Sequence, residues 1–235
     1  MLVIIPTESA PKHADRRLLT LCTFLPLKIV IFNWMEREIA ILMADLTGYT
    51  AMTDVHGGES AAKIVRKYLE LVNRALYGTA RLSQTVGDQV VIISDYVEDA
   101  AITAIQLNDL AMKEDRFLSI HAGIHYGSIF EENSNLFGST INVASRIMNL
   151  ANHGQILCST AFVAKVNPHT ILAFRPFGRH KLKNVRNEFD IFELCPQNVS
   201  SSHLVDPVCH MLVDPSKGDL TLTFNSKVYH FCSAH

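Results

Sequence analysis

From Glu38 onward, hydrophobic and polar positions follow two alternating periods. Residues 39–44 form a short continuous apolar run ending at Asp45, the pattern of a buried strand with a carboxylate at its tip. Turn residues Leu46-Thr47-Gly48-Tyr49-Thr50 follow. The span 58–77 then sets Ala61, Ile64, Val65, Tyr68, Leu71, Val72 and Leu76 at helical spacing, with Gly78 as its stop. Residues 81–86 and 89–94 read as two strands of a hairpin turned by Gly87-Asp88. A second helix spans 98–112, opened by acidic residues that suit its positive end. Residues 117–127 alternate as a strand in which Gly123 and Gly127 permit close backbone approach. After a turn at Gly138, a third helix begins with Ser139 or Thr140 as its N-cap and buries a stripe of Ile141, Ala144, Met148 and Ala151. A short strand over 155–159, a short helix over 160–166 and a final strand over 189–194 complete the series. Strands alternating with helices, partly through hairpins, predict an α/β (α+β) fold with a mixed sheet covered by helices.

The flanks have a different texture. Residues 1–36 read as an N-terminal extension: Pro6, Pro11 and Arg16-Arg17 precede an apolar run over 18–34 that Pro26 and Lys28 interrupt. That run is short of the roughly 20 apolar residues of a spanning helix, and no small-residue cleavage site follows it, so neither a membrane anchor nor a signal peptide is expected. Pro196-Gln197-Asn198-Val199-Ser200-Ser201-Ser202 is a linker by composition, and residues 196–205 separate the regular region, 37–195, from a segment of some thirty residues, 206–235. So short a segment needs help to hold a core.

With 235 residues, 48% hydrophobic and 19% charged, the chain can bury one full core plus a small appendage. A net charge of −2 gives no electrostatic case for a nucleic-acid polymer as partner. Cys22, Cys158, Cys195, Cys209 and Cys232 are odd in number and irregularly spaced, which fits a reducing, cytoplasmic setting better than a disulfide framework.

Two carboxylates carry candidate chemistry. Asp45 ends the first core strand and Asp88 sits in the hairpin turn. If those strands are neighbours, the pair can hold one or two hard cations such as Mg²⁺, which binds few protein ligands and completes its shell with substrate phosphates. The amides of Thr47, Gly48 and Tyr49 then face a triphosphate at a helix start. Taken singly, either Asp also serves simply as a turn cap. Asn142 and Arg146, four residues apart on the third helix, share a face off its buried stripe and suit an anionic, oxygen-rich group; a solvated surface pair has the same spacing.

The blocks Ala44-Asp45-Leu46-Thr47-Gly48-Tyr49-Thr50, Thr85-Val86-Gly87-Asp88, His121-Ala122-Gly123-Ile124-His125-Tyr126-Gly127, Gly138-Ser139-Thr140-Ile141-Asn142-Val143-Ala144-Ser145-Arg146 and Gly154-Gln155-Ile156-Leu157-Cys158-Ser159 resemble the class III nucleotide cyclases, in that family's order and spacing. The resemblance implies a ferredoxin-like fold of class III cyclase type over about 37–195. It also implies a head-to-tail homodimer with its active sites at the interface. Asp45 and Asp88, with Leu46 beside the first, would bind two Mg²⁺ or Mn²⁺ ions. Thr47, Gly48 and Tyr49 would meet the phosphates, the partner's Asn142 would orient the ribose, and the partner's Arg146 would stabilise charge on the α-phosphate. The expected reaction converts ATP to cyclic AMP and pyrophosphate by attack of the ribose 3′-oxygen.

Two positions depart from the family's adenine-selecting pattern. Where it has a Lys four residues before the second metal Asp and an Asp seven before the orienting Asn, this chain has Gln84 and Asn135. Amides can serve either purine by reversing donor and acceptor, so ATP is expected only as the family's commonest substrate, with GTP open. The same departures favour a second reading, a catalytically silent cyclase-like module that binds nucleotide or metal as a sensor or dimerisation domain. Lys183 in Lys181-Leu182-Lys183-Asn184 is either near the phosphates or solvated.

The tail carries another resemblance. Asp206-Pro207-Val208-Cys209-His210-Met211 and Val228-Tyr229-His230-Phe231-Cys232-Ser233 are similar to a YHS domain, a small module often linked to heavy metals. Cys209 and Cys232, with His210, His230 or His235, offer ligands for Zn²⁺ or Cu, or else are two buried thiols. A third reading makes this tail the functional centre and the larger domain its scaffold. His56, His121 and His125 are read as loop or packing residues, not as catalytic bases.

Overall fold

The computed structural model describes residues 35–132, 135–185, 187–195, 204–217 and 220–234. Residues 1–34 of the N-terminal extension, most of the linker and His235 lie outside the described residues, and Met35 and Glu36 belong to the first strand. Strand β1 (Met35–Leu46) is followed by helix α1 (Tyr49–Ala75), strands β2 (Arg81–Val86) and β3 (Gln89–Ser94), helix α2 (Val97–Lys113) and strand β4 (Ile120–Glu132). Their order in the sheet is β2-β3-β1-β4 with every neighbouring pair antiparallel, which is the ferredoxin-like βαββαβ arrangement. The short β5 (Asn135–Phe137) pairs with the far end of β4. Beyond β4 the sheet continues through β6 (Ile156–Ser159), β8 (Glu188–Cys195) and the edge strand β7 (Ala173–Lys181), with β4 and β6 parallel. The sheet is therefore mixed, as expected.

Strand alternation assigns the two faces. Ala40, Leu42, Ala44 and Leu46 of β1 pack with Tyr68, Leu71 and Val72 of α1 and Ala100, Ala104 and Leu107 of α2 in the larger core. Ile39, Ile41 and Met43 face the other way, onto Ala144 and Met148 of helix α3 (Ser139–Met148). Gly123 of β4 lets α3 lie directly on the sheet: a Cβ there would fall 2.6 Å from the Ala144 carbonyl oxygen and 2.7 Å from Met148 Cα.

Several expectations change in detail. α1 begins at Tyr49 and runs through a kink at Gly57, whose φ of 78° and ψ of 170° are not helical, so Tyr49 and Thr50, expected in the turn, and His56, expected in a loop, are helical, and the helix starts well before residue 58. On α3 neither Ser139 nor Thr140 caps the helix. Gly138 occupies the cap position at φ 143°, and the Thr140 hydroxyl donates instead to the Ser128 carbonyl at 2.6 Å. The buried face of α3 is Thr140, Val143, Ala144, Ile147 and Met148; Ile141 and Ala151 are only half-buried, because the helix lies across the sheet and packs on Ile39, Ile41 and Met43 of β1 along one flank and on Leu157 and Ile191 of β6 and β8 along the other. β7 was not expected. It carries Pro176 at a register shift, which an edge strand tolerates and a central one does not.

Two small ribbons follow. β9 (Leu204–Val205) pairs with β10 (Leu212–Val213), and β11 (Leu220–Phe224) with β12 (Lys227–Phe231). Cys209, Met211, Val213 and Cys232 join the larger core, so this segment obtains from the main domain the burial that its length denies it. The Leu212 amide donates to the Phe117 carbonyl at 2.7 Å, and Leu118 bridges Met211. No helix among the described residues is long and apolar enough to cross a membrane.

Candidate active site

The site is built at one end of β1. Because β1 lies beside β3 with Ala44 opposite Val90, the next residue, Asp45, stands at the β2–β3 turn that presents Asp88. Gly87, first in that turn at φ 63°, supplies the conformation a two-residue hairpin demands. The two carboxyl groups come within hydrogen-bonding reach. Burial and then the neighbouring Asp45 carboxylate push Asp88 up to about 6. Burial also raises Asp45, against the hydrogen bond from Asp88 and one from the Leu46 amide, 3.1 Å away. Two converging carboxyls, oxygen donors only, are a donor set whose chemistry suits a hard cation. Tyr68 of α1 is fully buried nearby, and its hydroxyl has no hydrogen-bond partner among the described residues. Burial, then the charges of Asp45 and Asp88, hold its pKa well above the ordinary phenol range.

Leu46 continues directly from Asp45, with its side chain buried in the larger core. Gly48 then takes a left-handed conformation, φ 84°, and turns the chain into α1, whose first amides belong to Tyr49 and its successors. The Thr47 amide donates to the Ser119 carbonyl at 2.8 Å, and Thr47 Oγ1 lies 2.9 Å from His121 Nδ1. Ser119 Oγ in turn lies 3.1 Å from His153 Nδ1. Burial first, then His153, hold His121 below its ordinary pKa, with Asp88 opposing. This polar network braces the loop from beneath. Only the alternation of His121 on its strand hinted at it in the sequence.

Asn142 is exposed and Arg146 half-buried on α3, off the packed face as their spacing required. Neither side chain makes a hydrogen bond or ion pair among the described residues. Gln84 is half-buried on β2, opposite Val91. Asn135 is exposed on β5 and pairs with Glu132, whereas Asp45 pairs with His121 at the other end of β4. Eleven residues of β4 separate those two levels, about 35 Å at the usual strand rise of about 3.3 Å per residue. Asp45, Leu46, Thr47, Gly48, Tyr49 and Asp88 therefore converge, and Asn135 is remote from them within one chain.

The tail reaches this site. The His210 side chain packs on Gly48 so closely that no Cβ fits there, and its ring stacks on His153 with centroids 5.8 Å apart. Of the histidines considered as partners for Cys209 and Cys232, His210 is thus turned away from the thiols. The histidine beside them is His56 of α1.

The model of the adenylate and guanylate cyclase catalytic domain matches residues 34–194. The chain belongs to that family. An adenylate cyclase of Streptomyces coelicolor is 28% identical over 134 residues, which is 56% of this chain and 35% of that protein. The chain spans about a third of the length of the curated relatives it matches. Among solved structures, the adenylyl cyclase CyaB from P. aeruginosa superposes with a TM-score of 0.60 at 18% identity, over 70% of this chain and 97% of that one. The catalytic core of a rhodopsin-guanylyl cyclase with converted specificity, in complex with ATPalphaS, gives 0.61 at 15%, over 71% and 99%. These structures share the fold.

Proposed function

We propose that the chain is a metal-dependent purine nucleotide cyclase that converts ATP to cyclic AMP and pyrophosphate at sites shared across a head-to-tail homodimer. The observation that carries this reading is the convergence of the Asp45 and Asp88 carboxyls beside the Gly48 turn and the start of α1. Asp45, Asp88 and the Leu46 backbone would hold two Mg²⁺ or Mn²⁺ ions, which supply Lewis acidity toward the phosphates and the 3′-hydroxyl. The amides of Gly48 and Tyr49 bind phosphate oxygens at a helix N-terminus, whereas the Thr47 amide, expected beside them, is already committed to the Ser119 carbonyl. Asn142 orients the ribose, and Arg146 stabilises the negative charge that grows on the α-phosphate. In the reaction the 3′-oxygen forms a bond to the α-phosphorus, the bond to the bridging oxygen of pyrophosphate breaks, and the hydroxyl proton passes to solvent. No protein nucleophile takes part.

The separation of Asn135 from Asp45 supports the shared site. A base-recognition residue about 35 Å from the carboxylates serves them only when a second copy brings its β5 and α3 alongside. Gln84 and Asn135 are the pair that meets the purine. Their amides suit guanine as well as adenine, so GTP turnover is the nearest competing activity, and a silent nucleotide-binding module is the reading that the same two amides favour. The YHS-like tail is an accessory element.

Mixing two inactive variants tests the shared site. Asp45→Ala and Arg146→Ala are each expected to abolish turnover, and their mixture to restore up to about a quarter of it, because random pairing leaves one intact site in half of the dimers. Mixed dimers that form without regaining activity would remove the interface arrangement.

A further inference from the structure

We propose that Cys209, Cys232 and His56 form a binding site for one Zn²⁺-class metal ion, which fastens the C-terminal segment to α1 of the cyclase domain. The three ligand atoms come from distant parts of the chain, yet all lie within 4.8 Å of one another. Cys209 Sγ and Cys232 Sγ are 3.3 Å apart, and Cys232 Sγ is 3.5 Å from His56 Nε2. Tetrahedral zinc, with Zn–S of about 2.3 Å and Zn–N of about 2.05 Å, sets two sulfurs about 3.8 Å apart and a sulfur and a nitrogen about 3.6 Å apart. The two sulfurs, and Cys232 Sγ with His56 Nε2, are already within about half an ångström of those separations, and Cys209 Sγ lies within 4.8 Å of His56 Nε2. Two thiolates and one imidazole form a soft-to-borderline set, distinct from the oxygen-only pair at Asp45 and Asp88.

The support around the ligands is built. Asp206 is 2% exposed and holds both cysteine-bearing stretches with one carboxylate: Oδ1 accepts from the amides of Val208 and Cys209 at 2.7 and 3.2 Å, and Oδ2 from Cys232 at 2.7 Å. Outer contacts of this type fix first-sphere ligands in place. His56 stands immediately before the Gly57 kink, so the break in α1 falls at the ligand. On the open side is a cavity of about 370 Å³, lined by His56, Lys63, Arg116, Met211, Cys232 and Ser233. It gives the ion a way in and leaves room for a fourth ligand, a water or a small anion.

The consequence is mechanical. With an ion in place, the segment that carries His210 is tied to α1, and His210 is held against Gly48. Without it, attachment depends on the Leu212 and Met211 backbone contacts and on apolar burial. The proposal concerns metal binding and tail attachment, and does not depend on nucleotide turnover.

The test uses the full reduced chain, with Zn²⁺ titrated against a chromophoric chelator and Co²⁺ as the spectroscopic substitute. One equivalent of Zn²⁺ should bind, and Co²⁺ should give thiolate charge-transfer absorption. Zn²⁺ should increase amide-exchange protection in both residues 206–234 and the Thr47–Gly48 loop. Cys209→Ser should abolish binding. His56→Ala, at a half-exposed position that leaves the core intact, should weaken it at least tenfold, the scale on which even outer-shell changes act. Cys195→Ser should leave it unchanged. Unchanged affinity in His56→Ala would overturn the link to α1. Failure of the folded, reduced protein to bind Zn²⁺, or binding that protects neither segment, would overturn the proposal.

Discussion

Gly123→Ala adds one methyl group where the structure has no space. The new Cβ would overlap the Met148 amide nitrogen and lie 2.6 Å from the Ala144 carbonyl oxygen and 2.7 Å from Met148 Cα, all of them helix backbone. Ordinary contacts of this kind are about 3.5 Å, so α3 must lift by roughly 1 Å to admit the group. A side chain could rotate aside, but a backbone inside a hydrogen-bonded helix cannot. Overpacking of this sort costs about 1–3 kcal/mol. The displacement matters more for function than the energy does, because Asn142 and Arg146 both ride on α3. A misplacement of about 1 Å in a catalytic group can cost roughly a hundredfold in rate. Urea unfolding should show a lower midpoint with an unchanged slope, and cyclic nucleotide formation should fall by about two orders of magnitude. A variant that is destabilised but fully active would refute the claim that α3 positions the reacting groups. One that is neither destabilised nor impaired would refute the packing argument itself.

His125 is 8% exposed, its Nδ1 lies 2.7 Å from Ser159 Oγ, and burial pushes its pKa down to about 4 from the ordinary 6.5. The unfolded chain therefore binds this proton more tightly, so the contribution is complete above about pH 6.5 and lost as pH falls toward 4, amounting to about 3 kcal/mol. A His125→Gln variant should show a flatter dependence of urea midpoint on pH across that window; parallel curves would contradict the assignment. Asp206→Ala removes the acceptor for three amides, each such bond to a charged group being worth about 1.5–3 kcal/mol. Exchange protection at Val208, Cys209 and Cys232 should be lost while that of β1 and α1 persists, and uniform loss across the chain would show that the tail is not separately anchored. Removal of divalent cations with a chelator should stop turnover without changing the far-ultraviolet circular dichroism; turnover that persists would exclude the role given to Asp45 and Asp88.

The parts of the fold legible in the sequence were those fixed by local chemistry. The Gly87-Asp88 hairpin was visible because a two-residue turn between apolar runs has few alternatives, and the apolar stretch ending at Asp45 because a strand buried on both faces needs no alternation. β7 carries no strand signal in the sequence, because Pro176 and a largely exposed surface remove both apolar alternation and β propensity. On α3 the true buried face differs by one helical position from the expected stripe, since neighbours on two sides select it and the sequence period alone does not. The convergence of Asp45 with Asp88 was predictable once their strands were assumed adjacent. The place of His56 beside two cysteines more than 150 residues away was not, because only the docking of the tail on α1 brings them together.

The central claim is tested most directly by incubating the purified protein with ATP, and separately with GTP, in the presence of Mg²⁺ or Mn²⁺. The product is identified by mass, with Arg146→Ala as the control. The account predicts cyclic AMP and pyrophosphate in equal amounts from ATP, and neither from the variant. A folded dimer that yields no cyclic nucleotide under any of these conditions, or one whose product survives Arg146→Ala, would contradict it.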